Sequence, residues 1–241
     1  GQGETVALLL REIKQKNISH AYLFSGGRGT GKTTAARIFA NAIGCKPADL
    51  YEMDAASNRG IEDIRALREA VQTMPFESPY KVYIIDEAHM LTKEAWNALL
   101  KTLEEPPAHV VFIFATTDKD KVPDTIISRC QSFVFRNPTL DELKNFVLDI
   151  SKKEKVTLDG PSAEIVAMFG DGSYRDTLSV LEKVLIGEKN GALDVDTVAR
   201  IVGAPTHDLV NRVLLAIESS DISDGLLAIR TARERSVDMA V

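Results

Sequence analysis

The sequence predicts an α/β protein in which a doubly wound, five-stranded parallel sheet carries a phosphate-binding loop and is followed by an all-helical segment. Three observations predict it. Apolar runs of strand length alternate with amphipathic helical stretches as far as Pro138. The first of those runs empties into SGGRGTGKTT, which fits G-x-x-x-x-G-K-[ST] with Gly26, Gly31, Lys32 and Thr33 in the fixed places. Beyond Pro138 the strand-like runs cease and capped helices take over.

Taken in order, residues 5–16 place Val6, Leu9, Leu10 and Ile13 at helical spacing, so a helix leads into the first strand at Ala21. Behind the loop, Ala35, Ala36, Ile38, Phe39, Ala42 and Ile43 continue as a helix that ends near Gly44. Residues 50–54 have the length and mixture of a second strand. Ile61, Ile64, Leu67 and Val71 recur at helical spacing until Pro75 blocks continuation. Residues 82–85 form an apolar run of the kind buried on both faces of a parallel sheet, and it ends in Asp86 and Glu87. Thr92 can cap a helix that runs to about Leu103 and is stopped by Pro106 and Pro107. A fourth strand, 110–115, ends in Thr116 and Thr117; a short helical piece, 125–127, then leads through Ser128, Arg129 and Cys130 to a fifth strand, 132–135.

After Pro138, Thr139 and Glu142 form a capping box ahead of an apolar helical stripe, and further helices are expected near 162–169, 174–186, 195–202, 207–218 and 223–234. Domain boundaries are placed after residues 138 and 203, giving segments 1–138, 139–203 and 204–241.

Composition narrows the function. With 44% hydrophobic residues in 241, the chain can bury a core, and no run approaches a membrane span or a signal peptide, so a cytoplasmic protein without a membrane partner is expected. A formal charge of −6, from 29 basic and 35 acidic residues, argues against indiscriminate coating of nucleic acid. Any DNA contact must be local. The two cysteines, Cys45 and Cys130, supply no four-ligand zinc site.

The chemistry lies in the loop and in the acids at strand ends. Glycines let successive N–H groups converge, and the helix behind adds its positive end, which suits a nucleotide's phosphates. The nucleotide-contacting set is therefore Gly26, Gly27, Arg28, Gly29, Thr30, Gly31, Lys32, Thr33 and Thr34, with Lys32 reaching the β and γ oxygens and the Thr33 hydroxyl holding Mg²⁺. Asp86 takes a metal role and Glu87 the role of a base for the attacking water. DEAH also occurs in a helicase class, but the chain has no paired helicase lobes. Arg175 follows a candidate N-cap, Ser173; a cation in a first turn faces the positive end of the macrodipole at a cost of about 0.3–1 kcal/mol, so an anion is expected beside it.

SGGRGTGKT, DAASNRGIEDIR, YIIDEAHML, NALLKTLEEPP, FATTD, SRC and GSYRDTLS follow one another as they do in the gamma/tau subunits of the bacterial DNA polymerase III clamp loader, and the chain closely resembles that family of AAA+ ATPases. The resemblance covers nearly the whole chain. It implies ATP and Mg²⁺ as ligands, a three-helix lid over 139–203 and the beginning of a helical collar over 204–241. It also implies a ring of clamp-loader subunits that opens a sliding clamp and loads it on primed DNA. Thr117 then matches the sensor of the γ-phosphate, with Thr116 as the second choice, Arg175 matches the lid arginine, and Arg129 matches an arginine finger acting in trans on a neighbour. Asn58, Arg59 and Lys81 become candidates for duplex contact. The family usually carries an upstream segment enclosing the adenine and a four-cysteine zinc module before DAAS, where only Cys45 stands here. Two other readings stay open: a replication factor C small subunit or branch-migration motor within the same fold, and a non-hydrolysing structural subunit of the loader. The intact Lys32, Thr33, Asp86 and Glu87 weigh against the last.

Overall fold

The structure, a computed structural model, describes residues 2–58, 60–187, 193–205 and 207–234. The chain divides into two compact units, Gly1–Asn137 and Pro138–Val241.

In the first unit, helix α1 (Gly3–Gln15) precedes β1 (Ala21–Gly26), then α2 (Lys32–Ala42), β2 (Leu50–Asp54), α3 (Ile61–Val71), β3 (Lys81–Asp86), α4 (Lys93–Glu104), β4 (Val110–Thr116), α5 (Asp124–Ile127) and β5 (Gln131–Phe135). The strands form one sheet in the order β2-β3-β4-β1-β5, and every pairing is parallel. Alternation along β1 and β4 splits the core into two layers. Ala21, Leu23, Phe112 and Phe114 pack on one face with Ile64, Val71, Trp96 and Leu99 of α3 and α4. Tyr22, Phe24, Val111 and Ile113 pack on the other with Leu9, Ala36 and Phe39 of α1 and α2. A central strand buried on both sides needs apolar residues at every position, which is why residues 110–115 read as continuous rather than alternating.

Among the described residues, three short 3-10 turns carry no sequence periodicity: Pro47–Asp49, Ala88–Met90 and Lys119–Lys121. The first has a structural task. The carboxylate of buried Asp49 accepts from the backbone N–H groups of Phe76 at 2.5 Å and Glu77 at 2.9 Å, so it fastens the loop before β3 across 28 residues.

The second unit contains α6 (Leu140–Lys153), α7 (Gly160–Met168), α8 (Tyr174–Gly187), α9 (Val195–Val202), α10 (His207–Glu218) and α11 (Ile222–Glu234). Its helix starts follow the capping chemistry closely. Thr139 and Glu142 exchange both bonds of a capping box, and Asp159, Ser173 and Asp194 each accept from the N–H three residues on. The four helical stretches read from the residues between 139 and 203 are all present among the described residues, one more than the three-helix lid that the resemblance implies. Helix α9 is short but amphipathic, and its Val198 enters the same core as Val147, Val166 and Leu181, so it is a full member of that layer. Helices α10 and α11 are joined by an Arg212–Asp224 ion pair with an Nη2–Oδ1 distance of 2.5 Å. Among the described residues, no helix is long and apolar enough to cross a membrane.

Burial pushes the Asp49 carboxyl up, but the N–H donors of Glu77 and Phe76 and the Ser78 hydroxyl outweigh it and bring the pKa down to about 2. A carboxyl depressed below its unfolded value of about 3.9 stabilises the fold fully above that pH, and the contribution disappears as pH falls towards 2. Urea unfolding of the parent and of Asp49→Asn at pH 7, 5, 4 and 3 tests this. The parent is expected to lose more stability than the variant below pH 4, so that the two curves converge.

Candidate nucleotide-binding site

The phosphate loop leaves β1 at Gly26, which has φ 145° and lies against the backbone of Phe135 on β5. A Cβ at Gly26 would overlap the Phe135 carbonyl oxygen, and one at Gly27 would overlap the Asn137 side-chain amide. Gly26 is required by crowding against backbone as well as by φ, whereas the atom nearest a Cβ at Gly27 is the end of a side chain. Gly29 and Gly31 are also left-handed, at 69° and 94°, and the Thr30 hydroxyl donates to the Gly27 carbonyl at 2.9 Å to close the turn. Helix α2 starts at Lys32, directly behind Gly31, so its first N–H groups open onto the loop.

Lys32 is only 5% exposed, and its Nζ donates to the carbonyls of Gly26 at 2.8 Å and Gly27 at 2.7 Å. Its ammonium is thus held over the loop. The Thr33 hydroxyl donates to Asp86 Oδ2 at 2.6 Å, although 53 residues separate them. Magnesium favours a few oxygen ligands with several waters, so this hydroxyl and carboxylate, side by side at a phosphate loop, form a fitting donor pair for it. Arg28 and Thr34 are exposed at the rim of the loop.

Glu87 is one of few non-glycine residues with positive φ, at 46°. Left-handed backbone at such a residue costs about 1 kcal/mol or more and turns its side chain away from the strand direction. Its N–H donates to Asp86 Oδ1 at 2.9 Å, and its Oε2 accepts from the Thr117 hydroxyl at 3.1 Å. The two threonines at the end of β4 have separate tasks. Thr117 is exposed and faces Glu87; Thr116 is fully buried and exchanges hydrogen bonds with the Asp118 backbone. His89 stands beside both, with Nδ1 3.0 Å from Thr116 Oγ1 and 3.4 Å from Glu87 Oε2. Sequence reasoning passed over His89, whose signal was its place two residues after Glu87.

The remaining candidates are dispersed. Arg129 follows α5, donates to the Thr125 carbonyl at 2.6 Å and pairs with Glu104 Oε1 at 2.7 Å. Its neighbour Cys130 packs against the core, where burial pushes the thiol up to about 12. Arg175 lies exposed in the first turn of α8 in the second unit, and Ser173 does cap that helix through Asp176 N–H. Asn58 is exposed in the turn after β2, tied to the Asp54 carbonyl, and Arg59 lies outside the described residues. The expectation that Lys81 reaches a duplex is corrected. Lys81 is 4% exposed, its Nζ donates to the Ala70 carbonyl at 2.9 Å and the Thr73 hydroxyl at 2.6 Å, and it lies 5.0 Å from the Tyr51 ring centroid. It fastens α3 to β3. A lysine at the first position of a buried strand can curl its stem over the sheet end, and nothing local in the sequence distinguishes that from a surface charge.

Comparison with known proteins decides the family. A family described as DNA polymerase III, delta subunit, matches over residues 1–59 and 49–139. DNA polymerase III subunit gamma of Buchnera aphidicola is 34% identical over 95% of this chain and 68% of its own. The chain belongs to the DNA polymerase III gamma/tau family. Subunit tau of Bacillus subtilis is 40% identical over 100% of this chain and 46% of its own length, and subunit gamma/tau of Mycoplasma pneumoniae is 43% identical over 76% and 30%. The chain thus spans less than half of the length of those two relatives. Its fold is shared with the Thermotoga maritima RuvB Holliday junction branch migration motor, at TM-score 0.69 and 19% identity over 91% of this chain and 77% of that one. This gamma/tau chain therefore has the AAA+ form of the phosphate-loop fold.

Gly26→Ala and Gly31→Ala separate crowding from φ in this gamma/tau loop. At Gly31 an added methyl meets nothing within 4 Å, whereas at Gly26 it meets the β5 backbone. Gly31→Ala is expected to cost about 1 kcal/mol and Gly26→Ala at least about 2 kcal/mol, read from urea unfolding.

Proposed function

We propose that this chain is the ATP-binding and ATP-hydrolysing part of a sliding-clamp loader subunit, working in the bacterial cytoplasm. The observation that carries the reading is the 2.6 Å contact between Thr33 and Asp86 beside a buried Lys32. This hydroxyl and carboxylate would hold Mg²⁺, and the lysine would meet the β and γ oxygens of a bound nucleotide. Bound Mg²⁺ would neutralise charge that develops as the γ-phosphoryl group leaves.

The residues of this chain then divide the work. The loop N–H groups from Gly27 to Thr34 hold the phosphates, and Arg28 lies at the rim. Thr33 and Asp86 hold the metal. Glu87 orients and deprotonates the attacking water, while Thr117, hydrogen-bonded to Glu87, is placed to sense the γ-phosphate. Arg175 on α8 is assigned to the same nucleotide from the lid. Arg129 is assigned to a neighbour's γ-phosphate, so catalysis is completed only when subunits assemble. The gamma and tau names of the relatives favour the loader ring, a sliding clamp and primed DNA as partners. Asn58 and Arg59, after β2, remain the candidates for duplex contact.

Two measurements test the reading. A charge-assisted contact is worth about 1.5–3 kcal/mol, so Lys32→Ala is expected to weaken Mg-ATP binding at least about tenfold by calorimetry; an unchanged dissociation constant overturns it. Mixing full-length Arg129→Ala with full-length Lys32→Ala protein is expected to restore hydrolysis at interfaces that combine an intact ATP site with an intact arginine. A trans arginine is worth about 10³ to 10⁵ in rate, so restoration is easily read, and a mixture that assembles yet stays inactive rejects the trans role.

A further inference from the structure

The DEAH stretch contains one polar side chain that the site above leaves without a task. His89 lies on the 3-10 turn Ala88–Met90, its side chain is 12% exposed, and its Nδ1 faces two oxygens, Thr116 Oγ1 at 3.0 Å and Glu87 Oε2 at 3.4 Å. Which of these atoms carries the proton follows from counting. Thr116 has a single hydroxyl proton, and with that proton placed on the Asp118 carbonyl at 3.0 Å, Thr116 Oγ1 accepts from His89. A bare Nδ1 would also set its lone pair against the Glu87 carboxylate. Both facts require the proton on Nδ1, a tautomer assigned here from the hydrogen-bond network.

We infer that His89 is a positioning residue for Glu87: its Nδ1–H, anchored on Thr116, joins the Thr117 hydroxyl in holding Glu87 Oε2, and so leaves Oε1 as the oxygen that takes the proton from the attacking water. Glu87 needs such support. Its side chain is 37% exposed, has several rotatable bonds and stems from left-handed backbone. Thr117 gives one hydrogen bond to Oε2 at 3.1 Å, and His89 Nδ1 lies 3.4 Å from the same oxygen, so both contacts fall along one edge of the carboxylate. Among the described residues no group donates to Oε1. The bracket is itself fixed: Thr116 is fully buried and accepts from the Asp118 N–H at 3.0 Å, so the ring rests on a rigid end of β4. The inference rests on the reading of Glu87 as the base.

The test measures Mg-ATP turnover and nucleotide affinity of full-length protein in its assembled complex, for the parent, Glu87→Gln, His89→Ala, His89→Asn and His89→Gln. An asparagine amide reaches the place of Nδ1, whereas a glutamine amide reaches the place of Nε2. His89→Ala is expected to lower kcat about tenfold with the dissociation constant for a non-hydrolysable ATP analogue unchanged, because positioning of a base acts on the chemical step. His89→Asn is expected to recover most of that loss and His89→Gln little of it. Equal kcat for the Asn and Gln variants, full activity of His89→Ala, or a loss confined to affinity overturns the inference while leaving Glu87 as the base. Normal turnover by Glu87→Gln overturns the base reading and this inference together. If His89→Ala fails to fold by its melting curve, the Asn-to-Gln comparison still decides.

Discussion

The register of three parallel strands is the constraint on which the candidate site depends. In the order β3-β4-β1, Ile85 stands opposite Phe114 and Ser25 opposite Thr116, so the carboxyl ends of all three strands finish level. Those ends carry Asp86, Thr116 and the start of the phosphate loop. Register is set by apolar layers rather than by the polar groups: moving β4 by one residue would exchange Phe112 and Phe114 with Val111 and Ile113 between the two faces. The hydrophobic core is therefore what brings Thr33 to Asp86 across 53 residues.

Upon that level edge, charge is handled locally. Burying the Lys32 ammonium would be costly without partners, and the two loop carbonyls that accept from it offset the loss of water. Asp86 accepts from the Thr33 hydroxyl and from the Glu87 N–H, so each of its oxygens has a donor. Glu87 is held differently: its Oε2 accepts from Thr117 and lies 3.4 Å from His89 Nδ1, and its side chain stays partly open to solvent. The loop that closes the opposite end of the sheet is fastened by Asp49, and Lys81 ties α3 to β3 there. Buried charge at one end of the sheet fastens structure, and at the other it lies under the phosphate loop.

Much of this was legible in the residues themselves. All five strands, the helix caps at Thr92, Thr139 and Ser173, and the phosphate loop follow from patterns that span a few residues and depend on backbone geometry. What could not be read were the partners of individual polar side chains. Lys81 looked like a candidate for a phosphate because a lysine beside an apolar strand has the same local sequence whether its stem lies over the sheet or in water. His89 went unassigned because its partners, Thr116 and Glu87, come from different strands.

By itself, then, the sequence determined the order and kind of elements, the position of the anion-binding loop and the acids that end β3, because periodicity, capping and glycine requirements are local. Only the tertiary structure decided that Thr33 meets Asp86, that Arg129 pairs with Glu104, and that Lys81 is an internal tie. Each of those facts is a distance between residues far apart in the chain. Such distances are set by how two apolar layers close on a parallel sheet, and no window of sequence contains them.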